Sequence, residues 1–181
     1  CVDAGSTDGT LEILKEYASR DARVHLIESK KKSYGYQMNL GIQAAKGQYV
    51  GIVETDDFIE LSMFHDLYSY AGNGYPDFIR GGYYDYAEFR NRKIYCMSCR
   101  NGLRHIFGKC INLRQEREKG FFELNHIWAG IYRRDFLLEK GIRFHETSGA
   151  SYQDTGFFML VGLLADTGVY IEESYYYYRR D

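Results

Sequence analysis

Short apolar strands alternate with helical segments through the first half of the chain, and this alternation constrains the fold more than any other feature. Apolar residues recur at helical spacing over 11–18 and over 37–45, and apolar runs of strand length lie at 24–27 and 49–53. Alternation of this kind is typical of an α/β sheet. The run 49–53 is continuously apolar, which is the pattern of a parallel strand covered on both faces.

The second half of the chain is less regular. Its patterns predict strands at 129–132, 169–171 and 175–178 and a strongly apolar helix at 155–165. No internal repeat and no low-complexity linker divides the chain, so its 181 residues are expected to form one domain.

Charge and hydropathy exclude several classes of protein. The net charge of −2 offers no basic footprint for nucleic acid. No apolar run approaches the roughly 18 residues that span a bilayer, and no signal-peptide pattern opens the chain, so the default location is the cytoplasm. Cys1-Val2-Asp3 has the pattern of a strand end and no Met precedes it. We therefore expect the N-terminus to be truncated, with at least one strand and one helix missing.

The pair Cys96 and Cys99 forms a single CxxC motif. A zinc site needs four ligands, and no second CxxC or well-spaced histidine pair follows. A redox pair is expected at the start of a helix, whereas this motif ends an apparent strand. A structural role is the favoured interpretation.

The first of three acidic sites is Asp3 with the polar turn that follows it. A carboxylate at the C-terminal end of a strand lies where open α/β sheets bind ligands, and it can accept bonds from ribose or base. The next helix can offer its N-terminus to phosphate. The alternative is an ordinary strand–turn–helix junction in which Ser6 and its neighbours cap the helix, and taken alone the motif favours that alternative.

The second acidic site is the run Glu54-Thr55-Asp56-Asp57, directly after the apolar segment 49–53. Carboxylates so close together repel one another, and at the end of a buried strand the repulsion requires a cation. Oxygen ligands select Mg²⁺ or Mn²⁺, which carboxylates bind together with substrate phosphates. A solvated acidic turn is the alternative, and the run alone does not decide between the two.

The third acidic site is Asp154, at the start of the predicted helix 155–165. One interpretation is a helix N-cap. The other is a general base that accepts a proton from an attacking hydroxyl.

In this order the three sites resemble the family 2 glycosyltransferases, which have the GT-A fold. The resemblance covers nearly the whole chain and rests on four segments: "VDAGSTDGT", "YQMNLGIQAAKGQYVGIVETDD", "IYRRDFLLEKGIRFHE" with "YQDTGFF", and "YYYYRRD". It implies a mixed, mostly parallel central sheet flanked by helices, without the family's first strand and helix. It also implies a nucleotide-sugar-binding half over 1–75 and an acceptor-binding half over 76–181 of a single catalytic domain.

The resemblance assigns roles to particular residues. Asp154 is the implied catalytic base, and Asp56 with Asp57 are the implied ligands of Mn²⁺ or Mg²⁺. The implied nucleotide-sugar contacts are Asp3, Ser6, Asn39, Glu54 and Asp56. For the acceptor we expect His126 and Trp128, since an indole stacks on sugar, although Trp128 fits an ordinary core position equally well.

Several positions depart from the family pattern. Ala4 stands in place of the second Asp of VDD, Gln37 in place of an Arg, and Gln153 in place of the Glu of the Glu-Asp pair. The Gln/Arg-x-x-Arg-Trp motif is missing, which argues against a processive polysaccharide synthase. These departures keep a non-catalytic nucleotide-binding module open as an alternative. A metal-dependent nucleotidyltransferase is a second alternative, but no Gly-rich phosphate loop with a basic residue is visible.

The implied reaction is inverting transfer of a sugar from a nucleoside-diphosphate sugar to a carbohydrate or lipid-linked acceptor, as in bacterial surface polysaccharide synthesis. The expected location is the cytoplasm, and peripheral contact with the inner face of the membrane stays open.

Overall fold

The computed structural model describes residues 1–72, 74–89, 92–97, 101–117 and 126–180. Strands and helices alternate in the first half, as predicted. They are β1 (Val2–Asp3), α1 (Thr10–Arg20), β2 (Ile27–Glu28), α2 (Tyr34–Ala44), β3 (Tyr49–Gly51), β4 (Phe58–Ile59) and α3 (Met63–Ser69). Cys99 and the side chain of Cys96 lie outside the described residues, and the structural role of the CxxC motif stays a prediction.

The second half is dominated by strands. It contains β5 (Phe78–Phe89), β6 (Arg92–Met97), a 3₁₀ turn (Asn101–Ile106), β7 (Cys110–Asn112), α4 (Leu113–Arg117), β8 (Gly130–Arg133), α5 (Arg134–Glu139), α6 (Gln153–Leu164) and β9 (Thr167–Arg179). No helix of the described residues has the length and apolar character needed to cross a membrane.

The described strands form one large mixed sheet and one small sheet. The order in the seven-stranded sheet is β3–β8–β5–β9–β4, with β6 added on β5 and β7 on β9, while β1 pairs with β2 in a separate parallel pair. The predicted mixed α/β fold with flanking helices is confirmed. In the large sheet, however, β5 and β9 are parallel and the other described pairs are antiparallel, so the expected excess of parallel pairs does not hold there.

Strand β3 shows why the direction of pairing was predicted wrongly. It covers only Tyr49–Gly51 and pairs antiparallel with β8, and Val53 is 42% exposed. An apolar run indicates that a strand is buried, but it does not indicate whether the neighbouring strand is parallel or antiparallel.

Strand β9 is continuous where the pattern predicted two strands. The polar residues Glu172 and Glu173 that separate the predicted segments are exposed and lie within the strand. The register between β5 and β9 shifts here: Arg80, Gly82 and Tyr83 of β5 pair with Tyr170, Ser174 and Tyr176, so the extra residues lie in β9. Such an irregularity lets a strand continue while its inward and outward positions change.

Helix α6 packs against the sheet and fixes the orientation of Asp154. Gln153, Phe157 and Val161 are spaced by one helical turn and are all buried. Phe157 stacks on Phe144 with ring centroids 4.3 Å apart and meets Tyr132 edge-on at 5.4 Å. Burial of such a side chain stabilises the fold by about 1.5–3 kcal/mol. Because this row faces inward, the next residue in sequence, Asp154, lies half-buried at the edge of the packed face.

Candidate active site

The acidic loop, residues 54–57 after β3, is attached to two other parts of the fold. The hydroxyl of Tyr34, the first residue of α2, donates to Oε1 of Glu54. The hydroxyl of Tyr176 on β9 accepts the backbone N–H of Glu54 at 3.1 Å and donates to Oδ2 of Asp57 at 2.7 Å. The backbone N–H of Arg179 donates to Oδ1 of Asp57 at 2.9 Å. The loop is therefore a fixed structure rather than a loose surface turn.

The electrostatics of this loop show a concentration of negative charge. Burial raises the pKa of Glu54, the hydrogen bond from Tyr34 opposes this effect, and the charges of Asp56, Asp57 and Asp154 raise the pKa further. Burial also raises the pKa of Asp57, against the opposing hydrogen bonds from Arg179 and Tyr176. The charge of Asp154 thus reaches the acidic loop.

Asp154 is the second residue of α6, and its carboxylate is free for chemistry. The N-cap position is held by Tyr152, so the N-cap interpretation of Asp154 is wrong. Within the described part of the chain, no hydrogen bond or ion pair engages the Asp154 side chain, which is half-buried. A half-buried carboxylate with no partner is an arrangement expected of a proton acceptor.

Asp56 differs from the carboxylates on either side of it. It is exposed, and no described residue forms a hydrogen bond or ion pair with its side chain. No group of three His, Cys, Asp or Glu side chains in the described residues could hold a metal alone. Mg²⁺ commonly takes only one or two carboxylates and completes its shell with water and substrate phosphates. The donor set therefore fits a metal bound jointly with a diphosphate, with Asp56 as the available ligand, and does not form a closed protein site.

Asp3 and Ser6 are brought together at the end of β1. Asp3 is 4% exposed, and its Oδ2 accepts the backbone N–H groups of Gly5 at 2.8 Å and Ser6 at 3.1 Å. The Ser6 hydroxyl donates to Oδ1, and this hydrogen bond is the main cause that lowers the pKa of Asp3 below its usual value. The two residues thus shape their own turn, and contact with a nucleoside stays a prediction.

Asn39 lies inside the fold. It is 4% exposed, and its amide donates to the Phe144 carbonyl at 3.0 Å and to Glu146 Oε1 at 3.0 Å, while its oxygen accepts the Phe144 N–H at 2.9 Å. These bonds join α2 to the segment that leads to α6. A donor contact by Asn39 stays a prediction, and the described geometry gives this side chain a structural role.

His126 and Trp128 belong to an aromatic stack. The Trp128 ring lies 4.1 Å from the ring of Tyr176 and 4.5 Å from that of His126, and Trp128 is only 5% exposed. His126 is half-buried, and its Nε2 lies 3.1 Å from the Tyr83 hydroxyl. Burial, with a smaller effect from the charge of Arg80, lowers the pKa of His126 to about 4. Of the two predicted acceptor residues, His126 keeps some access to solvent, and Trp128 has the geometry of a core residue.

Two tyrosines of the site were not anticipated as site residues. Tyr34 precedes the predicted helix 37–45, and Tyr176 was interpreted as one residue of a half-buried strand. Their hydroxyls meet carboxylates that are 20 and 119 residues away in the chain. Only a contact across the fold distinguishes them from the neighbouring tyrosines, so no local pattern could have identified them.

Comparison with known proteins identifies the family. Residues 1–141 match the family model described as glycosyl transferase family 2. The chain belongs to glycosyl transferase family 2. The predicted family is thereby confirmed.

Curated relatives and solved structures agree with this membership. Glycosyltransferase GlyG of Streptococcus pneumoniae is 29% identical over 99% of the chain and 60% of its own length. The uncharacterized glycosyltransferase EpsJ of Bacillus subtilis is 29% identical over 81% of the chain and 44% of its own length. S. aureus TarS 1–349, solved with UDP-GlcNAc, superposes with a TM-score of 0.72 at 22% identity over 99% of the chain and 48% of TarS. The GT-A fold is confirmed, and the chain spans about half the length of the proteins it matches.

In this family 2 chain, Gln153 stands where the sequence resemblance led us to expect a glutamate, and its side chain has defined partners in the structure. It is 3% exposed and hydrogen-bonded on both sides of its amide to the residues just before it. It is therefore part of the turn that leads into Asp154.

Proposed function

We propose that this chain carries the donor-binding and catalytic part of an inverting, metal-dependent glycosyltransferase, which moves a sugar from a nucleoside-diphosphate sugar to an acceptor hydroxyl. The observation that carries the proposal is the unpartnered carboxylate of Asp154, close enough to the acidic loop for its charge to raise the pKa of Glu54. Family membership supports the class of reaction.

In the proposed mechanism Asp154 accepts the proton of the acceptor hydroxyl. That hydroxyl attacks the anomeric carbon from one face while the nucleoside diphosphate leaves from the other, so the configuration inverts. General-base catalysis of this kind contributes on the order of 10²–10⁴-fold to the rate. The half-buried position of Asp154 limits competing contacts with water, and its unused oxygens are available to the hydroxyl.

The acidic loop is proposed to bind the diphosphate end of the donor. Asp56 would hold the divalent metal, Mn²⁺ or Mg²⁺, because its carboxylate is exposed and unpaired among the described residues. Such a metal supplies neutralisation of the charge on the departing diphosphate. Asp57, first proposed as a second ligand, is proposed instead to anchor the loop to β9, since both its oxygens accept hydrogen bonds. Glu54 would take part in donor binding through its link to Tyr34.

For the nucleoside, Asp3 and Ser6 remain the proposed contacts, through the turn that they form at the end of β1. Because TarS, which shares this fold, was solved with UDP-GlcNAc and with UDP, uridine donors should be tested first. His126 is the proposed acceptor-side contact, and a bacterial surface polysaccharide is the proposed product.

A donor-hydrolysis screen tests the proposal. The protein is incubated with UDP-, GDP- and dTDP-sugars in Mn²⁺, and release of free sugar is measured with and without a chelator. We expect metal-dependent hydrolysis of one donor, and we expect Asp154→Asn to bind that donor normally while losing at least about 100-fold in turnover. Asp135→Asn is the matched control, since Asp135 also lies in the first turn of a helix, α5, but is exposed and pairs with Arg134 at 3.6 Å. Normal turnover by Asp154→Asn would exclude it as the base.

The screen also separates the rival hypothesis. That rival is a non-catalytic nucleotide-binding module. Asp3 and Asn39 form hydrogen bonds within the fold, and such a module would keep these bonds even without catalysis. Metal-dependent binding of a nucleoside diphosphate, with no hydrolysis of any donor in the panel, would favour that rival.

A further inference from the structure

The side chain of Gln153 forms a closed set of hydrogen bonds directly beside Asp154. Its Oε1 accepts the backbone N–H of Ser151 at 2.5 Å, and its Nε2 donates to Oγ1 of Thr147 at 2.8 Å and to the carbonyl of Gly149 at 3.2 Å. The residue is 3% exposed, so water does not replace these partners. A buried amide that uses both its donors and its acceptor defines one geometry for the segment it spans.

This segment bends sharply just before the helix. Gly149 has φ = +74° and Tyr152 has φ = +56°, so two residues are left-handed within four positions. Tyr152 is not a glycine, and its left-handed backbone costs on the order of 1–3 kcal/mol. Its ring is 87% exposed and offers little packing to offset that cost. The hydrogen bonds of Gln153 help to stabilise the bend from within the turn, beside the backbone bonds of Gly149.

The same turn is joined to the acidic loop through α2. Gly149 donates its N–H to the Lys32 carbonyl at 3.1 Å and accepts the N–H of Tyr34 at 3.0 Å. Tyr34 in turn donates its hydroxyl to Glu54. Hydrogen bonds thus connect the residue before Asp154, through Gly149 and Tyr34, to the carboxylate of Glu54.

We propose that Gln153 is a positioning residue that sets Asp154 against the acidic loop by holding the turn 147–152. The inference rests on the proposed function, in which Asp154 is the base. It also gives the departure from the family's Glu-Asp pair a physical reason. The Gly149 carbonyl accepts a hydrogen bond from the Gln153 amide as well as from the Tyr34 N–H, and a carboxylate at position 153 would place an oxygen against it instead. Gln153 is then a residue matched to this turn rather than a sign of a degenerate site.

The experiment compares variants in two backgrounds. Gln153→Met keeps the side-chain length and removes every hydrogen bond. Thr147→Val removes one acceptor and leaves Gln153 intact, with Thr147→Ser as its matched control. Each is made alone and with Asp154→Asn. Turnover and KM are measured for Mn²⁺-dependent hydrolysis of UDP-GlcNAc, or of the donor found in the screen, and UDP affinity is measured by calorimetry.

A misplaced base should lower turnover more than binding. We expect Gln153→Met to lose about 10- to 100-fold in kcat. The donor KM and the UDP affinity should change by less than about threefold. In the Asp154→Asn background the same substitution should have little further effect, because Gln153 acts through Asp154. Thr147→Val should show a smaller loss of the same kind, and Thr147→Ser should behave as the wild type.

Three results would overturn the inference: wild-type turnover of Gln153→Met, an equal loss in both backgrounds, or a loss confined to UDP affinity. If Gln153→Met does not fold, Thr147→Val carries the same comparison, and wild-type turnover by it overturns the inference. Full activity of Asp154→Asn alone would instead refute the proposed function and this inference with it. An inactive Asp154→Asn beside a fully active Gln153→Met would refute only the positioning role.

Discussion

Substitution of Tyr176 by Phe tests whether the acidic loop depends on β9 for its shape. The side chain is fully buried, and its hydroxyl accepts the Glu54 N–H at 3.1 Å and donates to Asp57 at 2.7 Å. Phe retains the ring, whose centroid stacks 4.1 Å from that of Trp128, so packing is preserved and only the hydroxyl is lost.

The expected cost follows from the two groups left without a partner. The backbone N–H of Glu54, in a half-buried residue, would be left unsatisfied, which costs about 1–3 kcal/mol. The Asp57 carboxylate keeps its hydrogen bond from the Arg179 N–H and is partly open to water. Loss of the hydrogen bond from Tyr176 to Asp57 therefore adds no more than about 1 kcal/mol. We expect the free energy of unfolding to fall by about 2–3 kcal/mol. The pKa of Asp57, already raised by burial, should rise further because the Tyr176 bond lowers it.

Urea unfolding at pH 7 measures the change in the free energy of unfolding. Calorimetry of UDP binding in the presence of Mn²⁺ measures whether the altered loop still binds the nucleotide. The matched control is Tyr177→Phe, because the Tyr177 hydroxyl bonds Glu60 at the surface. The control should change stability by no more than about 0.5 kcal/mol and leave UDP binding unchanged. Equal stability and equal UDP affinity of the two variants would refute the claim that Tyr176 shapes the loop.

Three further predictions concern single side chains. Burial lowers the pKa of His126 to about 4 from an ordinary 6.5. The free energy of unfolding should therefore be highest above about pH 6.5, where His126 is neutral in both states, and should decrease as the pH falls from 6.5 toward 4. After allowance for partial exposure, this decrease is about 1–2 kcal/mol. Urea unfolding of His126→Gln over the same pH range should not show it. Asp77→Ala should lower the free energy of unfolding, measured in urea, by about 2–4 kcal/mol. The Asp77 carboxylate is 5% exposed, accepts two backbone N–H groups and pairs with Arg133 at 2.6 Å. A change below about 0.5 kcal/mol would contradict this structural role. Asp56→Asn should weaken Mn²⁺-dependent UDP binding at least about tenfold without loss of stability, whereas Asp57→Asn should lower stability, and identical behaviour of the two would contradict the division of roles.

Local structure was predictable where the chain itself carries the signal. The helix predicted over 37–45 spans Tyr34–Ala44, and it begins after Ser33, whose hydroxyl accepts the Tyr36 N–H at 3.3 Å. A polar side chain that satisfies a free N–H of the first turn is a local effect, and so is helical periodicity. The order of the acidic sites along the chain was likewise sufficient to indicate the family that the comparison confirms.

Contacts between distant segments were not predictable in the same way. The pattern of β3 showed an apolar run but neither its short length nor its antiparallel partner β8. The division of β9 into two predicted strands failed because β9 continues through extra residues at its polar positions while it stays paired with β5. Periodicity identifies the face of an element that will be buried, whereas the partner depends on the rest of the fold.

The acidic loop shows how these two levels combine. From the sequence, Asp56 and Asp57 were both expected to bind the metal, and Glu54 was expected to contact the donor. In the fold, Glu54 is bonded to Tyr34 and Asp57 is held by Tyr176 and Arg179, so only Asp56 is left without a partner among the described residues. The longer side chain of Glu54 reaches the Tyr34 hydroxyl. The repulsion within the run is thus met by hydrogen bonds at two carboxylates, and the demand for a cation is concentrated at the third.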